Sequence, residues 1–276
     1  MPEDHLEGAD PLSRWQRLEN WVKRHPIFIV ITVLAVLLSS ASTIFDAGSA
    51  VRNWFQSTFH WRDAEYEKLA NLHAGFAYEK FRAELGAPKF KAEIPKTSYI
   101  DYSFEGRGYW VQLVVDPYAI VKAYVVTACD SDFHPTFRFG SGGTSEGRVV
   151  LNKSNFAGVG NFHDMEMGIK AFSGGTTNSY AFVVFYGANP GGYKTFAWGL
   201  NDACEGSFRE LDLWRSWASR RNLSGREVPL NRSDEELRSL MSKTKVNTYA
   251  ETAPFADEEK MFPDQIGVDR ILIRTI

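Results

Sequence analysis

Cysteine is scarce in this 276-residue chain, with only Cys129 and Cys204 present, so a metal site built on these two cysteines is not expected. Charge of one sign is missing too, because 31 Lys and Arg are interspersed with 34 Asp and Glu for a net charge of −3. Without a basic face, neither nucleic acid nor wholesale electrostatic attachment to anionic lipid is expected. No Gly-x-Ser-x-Gly elbow occurs, serine and histidine are too scattered to favour a triad, and neither cysteine carries a local nucleophile signature. No repeat of solenoid length is present. The nearest is a short echo, Ser-Gly-Gly-Thr, in FGSGGTSEG from Phe139 and FSGGTTNSY from Phe172. It reads as two turns of similar chemistry, with an anion- or saccharide-binding nest of backbone N–H groups as the alternative.

Long uncharged apolar runs are equally rare. The one stretch long enough to cross a bilayer is Ile27–Phe45, IFIVITVLAVLLSSASTIF. As a helix at about 1.5 Å per residue it approaches the roughly 30 Å of a hydrocarbon core. Arg14, Arg17, Lys23 and Arg24 precede it, whereas only Arg52 and Arg62 follow at comparable distance. The positive-inside rule therefore places the N-terminus in the cytoplasm and the bulk of the chain beyond an inner membrane, in the periplasm or outside the cell. A cleaved signal peptide is the competing reading, from the basic region, apolar core and small residues. Trp15, Leu18, Trp21 and Val22 give residues 1–26 an amphipathic face suited to the headgroup layer. Ala35, Ser39 and Thr43 recur every four residues, a stripe that lets a second copy or a partner helix approach closely. The bland alternative is hydroxyls bonding back to their own helix.

This topology divides the chain into a cytoplasmic segment (1–26), a spanning helix (27–45), a juxtamembrane linker (46–62) and an extracytoplasmic α+β domain (63–276). Cys129 and Cys204 then share an oxidising compartment, and a disulfide is the natural reading. Two free thiols are the expectation if the domain faces the cytoplasm.

Within the domain, residues Asp63 to Leu85 hold helix formers with Leu69, Leu72, Phe76 and Phe81 near helical spacing, stopped by Gly86 and Pro88. SYIDYSF, YWVQLVV and AIVKAYVVTAC then predict a three-stranded antiparallel meander. RVVLN and YAFVVFY read as further strands, with KTFAWGL as the return arm of a hairpin. Ser207 with Glu210, and Ser233 with Glu236, predict capped helices ahead of FRELDLWRSWASRR and ELRSLMSK, with Trp214 and Trp217 packing the first on the sheet. The tail from Tyr249 reads as irregular until IGVDRILIRTI, a last strand. The fold class is thus a mainly antiparallel sheet with flanking helices behind one transmembrane helix.

The series Phe81, Leu85, Gly86, Pro88, the tyrosine-containing strands after it and VQLVVD ahead of a turn resembles a known unit over residues 66–126. It is the helix, Gly-x-Pro, meander unit of small bacterial envelope assembly lipoproteins and β-lactamase-inhibitor-like folds. The chain departs from those lipoproteins in having no cysteine near its N-terminus to carry an acyl anchor. The resemblance implies a protein-binding or envelope-assembly role without catalysis, and no individual residue carries across.

Candidate chemical sites are few. GANPGGYKT at Gly187–Thr195 misses the phosphate-binding loop because Tyr193 stands where Lys must follow the final Gly, and TFAWGL reads as a strand. No cofactor is expected. Asp130, Asp132 and His134 alternate, so on an extended segment they could hold a divalent cation or serve a membrane-tethered hydrolase; DSDFHP reads otherwise as a polar turn. His163, Asp164 and Glu166 form a second such cluster, read as a solvated loop. Among many strand aromatics, Tyr109, Tyr186, Tyr193 and Trp198 lie beside glycines and are the candidates for an exposed binding surface. The leading expectation is a membrane-anchored extracytoplasmic binding module for a protein or envelope component.

Overall fold

The computed structural model describes residues 61–140, 146–160, 167–173, 179–187, 193–203, 208–223, 225–231, 233–256, 266–269 and 273. The chain divides into two compact units, residues 1–61 and 62–276, and the description that follows concerns the second together with Trp61.

Helix α1 (Trp61–Ala70) and helix α2 (Tyr78–Leu85) replace the single helix expected over 63–85. The break falls where the chain must turn back to reach the sheet, at Gly75, whose φ of +98° suits glycine. Leu69 and Phe81 are buried from the two helices, and Gly86 closes α2 by donating its N–H to Arg82 O at 3.0 Å.

The expected meander is present as β2 (Ile100–Gly106), β3 (Tyr109–Val115) and β4 (Val121–Ala128), preceded by a short edge strand, β1 (Phe90–Glu93). A small ribbon follows, β5 (Thr136–Phe139) paired antiparallel with β6 (Gly147–Val150). After a 3₁₀ turn at Phe156–Gly158 come β7 (Met167–Ser173), β8 (Ser179–Tyr186) and β9 (Thr195–Asn201), a second antiparallel meander. Helix α3 (Phe208–Arg220), edge strand β10 (Glu227–Pro229), helix α4 (Glu235–Lys243) and β11 (Thr248–Thr252) complete the fold. The large sheet has the order β1-β2-β3-β4-β11-β9-β8-β7-β10. Strand β11 joins the two meanders, antiparallel to β4 on one side and β9 on the other.

Both faces of the inner strands β3, β4, β11, β9 and β8 are buried, which explains the near-continuous apolar runs of all but β11. On one face Tyr124, Tyr249 and Trp198 lie beneath the β5–β6 ribbon. Phe137 stacks on Tyr249 at 4.4 Å between ring centroids, and Phe139 lies 4.9 Å from Phe196. On the other face Val125, Ala250, Ala197 and Phe182 form a core capped by Ile266. The segment carrying Ile266 is clasped by Asn201, whose side-chain amide donates to Ile266 O at 2.8 Å. Gly267 (φ +90°) must be glycine there, since a Cβ would stand 2.5 Å from Thr127 Oγ1.

Several expectations are corrected. None of the described helices is long and apolar enough to cross a membrane, and the longest, α3, has 13 residues. The expected spanning segment Ile27–Phe45, with Ala35, Ser39 and Thr43, lies outside the described residues. The fold class with an N-terminal transmembrane helix, the single-pass placement at an inner membrane and the periplasmic assignment of the domain are therefore withdrawn. Cys129 is not a free thiol, while Cys204 lies outside the described residues, so no geometry of the expected bridge enters the fold. Helix α4 is capped by Asp234, not Ser233: the Asp234 carboxylate accepts from Leu237 N at 3.0 Å. The last strand among the described residues is Thr248–Thr252; of IGVDRILIRTI, residues 266–269 form no strand and 270–272 and 274–276 lie outside the described residues.

Candidate functional site

The antiparallel order brings four chain segments to one end of the sheet: the α1–α2 connection, the β3–β4 turn, the entry to β9 and the exit from β11. Hydrogen bonds lace them together. Gly75 N donates to Val121 O at 2.7 Å, Val121 N to Phe76 O at 2.9 Å, and Tyr78 N to Ala119 O at 2.8 Å. Ala253 N donates to Lys122 O at 2.8 Å.

Beneath this end sits a buried carboxylate. Glu251, on central strand β11, has a side chain only 3% exposed. Its Oε1 accepts from Ala74 N at 2.7 Å and lies 3.2 Å from His73 Nδ1 and 3.6 Å from Lys194 Nζ, while Oε2 accepts from the Tyr249 hydroxyl at 3.0 Å. A carboxylate so placed is tolerable only with such partners, because burial without them costs several kcal/mol. Burial, with the Glu251 charge added, holds the hydroxyls of Tyr124 and Tyr249 protonated well above the usual range for tyrosine. The arrangement ties the helical connection and the entry to β9 onto the central strand.

The surface above is aromatic. Four large apolar side chains are exposed among the described residues, namely Tyr118, Tyr193, Leu213 and Phe255, and all but Leu213 lie at this end. Tyr118 occupies the β3–β4 turn and is 86% exposed; Phe255, just past β11, is 77% exposed, and Tyr193, just before β9, is 47% exposed. Tyr193 and Phe255 stack with centroids 4.5 Å apart, and Phe255 N donates to Tyr193 O at 2.9 Å. The β3–β4 turn is fixed by Asp116, whose Oδ1 accepts from Tyr118 N and Ile120 N, each at 2.9 Å, while Oδ2 meets Lys122 Nζ at 3.2 Å.

On the sheet face beside Glu251, a cleft of about 500 Å³ is lined by His73, Phe137, Arg138, Arg148 and Tyr249 among others. His73, at the rim of the cleft, has its ring edge-on to Phe76 at 5.8 Å.

The residues picked out from the sequence fare unequally. Tyr193 is at the exposed surface. Tyr109 and Trp198 are buried: the Tyr109 hydroxyl donates to the Glu65 carboxylate, and Trp198 Nε1 donates to Phe156 O at 3.2 Å. Tyr186 is half-buried with its hydroxyl on Glu227. Asp130, Asp132 and His134 form the polar turn: Asp130 Oδ1 accepts from Asp132 N at 2.9 Å, and His134 Nδ1 lies 3.1 Å from Leu151 O. Among the described residues no three His, Cys, Asp or Glu side chains are grouped so as to hold a metal ion. His163, Asp164 and Glu166 lie outside the described residues, as do residues 188–192 of the GANPGGYKT segment; Thr195 opens a strand, not a helix. Sequence reading missed Phe255, Tyr118, His73, Glu251 and the two arginines. The sequence signal for Glu251 is slight, a lone acid in the buried pentapeptide TYAET.

Neither a known family, nor a curated protein, nor a solved structure matches the chain, so function is read from this geometry alone.

Proposed function

We propose that residues 62–276 form a protein-binding module that engages its partner through the aromatic end of the sheet, with Tyr118, Tyr193 and Phe255 as anchors. The stacked Tyr193–Phe255 pair carries this reading. Exposing two large rings forgoes their burial, about 1.5–3 kcal/mol for each side chain of this kind. Both residues also hold left-handed backbone, which costs a non-glycine residue roughly 1–2 kcal/mol. Strain of this kind gathers where a surface is shaped for contact. Rigid aromatic side chains on a fixed scaffold are the commonest anchors at protein interfaces, and the knot around Glu251 supplies that scaffold. The partner is a protein segment presenting apolar side chains to these rings.

Photocrosslinking from single sites tests this in cells that make the chain. A crosslinking residue at position 118 or 255 should give a discrete adduct, one at 213 should give none, and Tyr193→Asp should abolish the adduct from 118. An adduct with a second copy of the chain would identify self-association instead of a separate partner. Equal adducts from all three positions, or none, would remove the reading.

A further inference from the structure

The β5–β6 ribbon contains an unfavourable pairing. Arg138 and Arg148 stand directly opposite each other in its register, and like charges at such positions repel. Both are exposed, and neither guanidinium forms a salt bridge with a described residue. The ribbon's other face accounts for its attachment, through Phe137 and Phe139 on the sheet, so packing gives no reason for two arginines on the outer one. Both line the cleft of about 500 Å³, together with His73 and the rings of Phe137 and Tyr249. His73 is oriented by its Nδ1 contact with Glu251, and its Nε2 has no hydrogen-bond partner among the described residues.

We propose that this cleft binds a small organic anion, with Arg138 and Arg148 clamping a phosphate or carboxylate group. Paired guanidinium groups match both anions through parallel N–H donors, and a bound anion converts their repulsion into attraction. The volume falls within the range of small-molecule sites, and Ala70 and the edge of Phe137 offer an apolar contact to the body behind the charged head. The site is separate from the aromatic end and does not depend on a protein partner.

Titration calorimetry of the full chain with phenyl phosphate, benzoate and phenol tests the assignment at low and high salt. At least one of the two anions should bind, phenol should bind at least about tenfold more weakly, and added salt should weaken the anion. Arg138→Gln and Arg148→Gln should each weaken binding at least about tenfold. A preference for phenyl phosphate assigns a phosphate ester as the ligand class, and a preference for benzoate assigns a carboxylate. Phenol binding as well as the anions, no binding by either anion, or Gln variants that bind like the parent would overturn the proposal. A melting curve provides the folding control. Without anion Arg148→Gln should melt no lower than the parent, since it removes a repulsion; a lower melting point would make the pair structural and also overturn the assignment.

Discussion

Tyr193 and Phe255 stack on each other at the surface while both backbones are left-handed, at φ 55° and 57°. The rings stabilise the pair and the backbones oppose it, and these two contributions can be separated by choice of substitution. Alanine removes a ring and keeps the strain; glycine removes both. At each position the glycine variant should therefore be more stable than the alanine variant by about 1 kcal/mol, the reverse of their usual order. Urea unfolding of the four single variants measures this, and alanine above glycine at both sites would show that the backbones are not strained.

Glu251 should be costly to neutralise. In Glu251→Gln the amide cannot accept from Ala74 N, Tyr249 and Lys194 together, and Lys194 is left half-buried without its acid. A loss of about 2–4 kcal/mol is expected. Combining it with Lys194→Met should lose less than the two single changes added, because the second change removes the orphaned charge. Urea unfolding of the four members of the cycle gives the coupling, and strict additivity would mean that the two residues do not interact.

The sequence showed the first meander and the β8–β9 hairpin, but neither β7, which completes the second meander, nor the strand that joins the two. Strands β2, β3, β4, β8 and β9 announce themselves by branched and aromatic runs ending at turn residues. Strand β11 has five residues, all buried, with an acid and two threonines among them, so neither alternation nor an apolar run marks it. Its position is set by the register of β4 and β9, a tertiary fact. The site suffers for the same reason, because Tyr118, Tyr193 and Phe255 are far apart in sequence and meet through that strand order. Tyr193 was legible from its neighbouring glycines, yet the same rule picked out Tyr109 and Trp198, which are core. Glycine beside an aromatic marks a turn or a close approach and does not say on which side the ring lies. Arg138 and Arg148 form a pair only once the ribbon's register is known.

Asp116 shapes the turn that presents Tyr118. Burial pushes its carboxyl up, but the N–H groups of Ile120 and Tyr118 and the Lys122 ammonium outweigh this and hold it below its ordinary value of 3.8. The stabilisation it gives is thus present above about pH 4 and is lost as pH falls through the lowered folded value. Asp116→Ala should cost about 1–2 kcal/mol at neutral pH and progressively less in acid. It should also weaken crosslinking from position 118, since the turn loses two acceptor bonds. An equal cost at neutral and strongly acidic pH would show that the ionised carboxylate is not what holds the turn.

Asp101, at the start of β2, behaves in the opposite sense. Burial pushes its carboxyl up to about 6 from 3.8; the nearby Asp269 charge adds to this, and the hydrogen bond from Gln112 Nε2 at 2.5 Å holds it back. The folded state therefore binds this proton more tightly than the unfolded chain, so the stability that Asp101 contributes is fully present below about pH 4 and is lost as pH rises through about 6. Above that pH the protein carries the full cost of a buried carboxylate, on the order of 2–3 kcal/mol. Asp101→Asn keeps an acceptor for Gln112 and removes the charge. The variant should be more stable than the parent at pH 7 by on the order of 2 kcal/mol and nearly equal to it at pH 3. Its stability should also lack the parent's decline between pH 4 and 6. Parallel stability curves for the two proteins, measured by urea unfolding across that range, would show that Asp101 is ionised as readily in the folded chain as in the unfolded one.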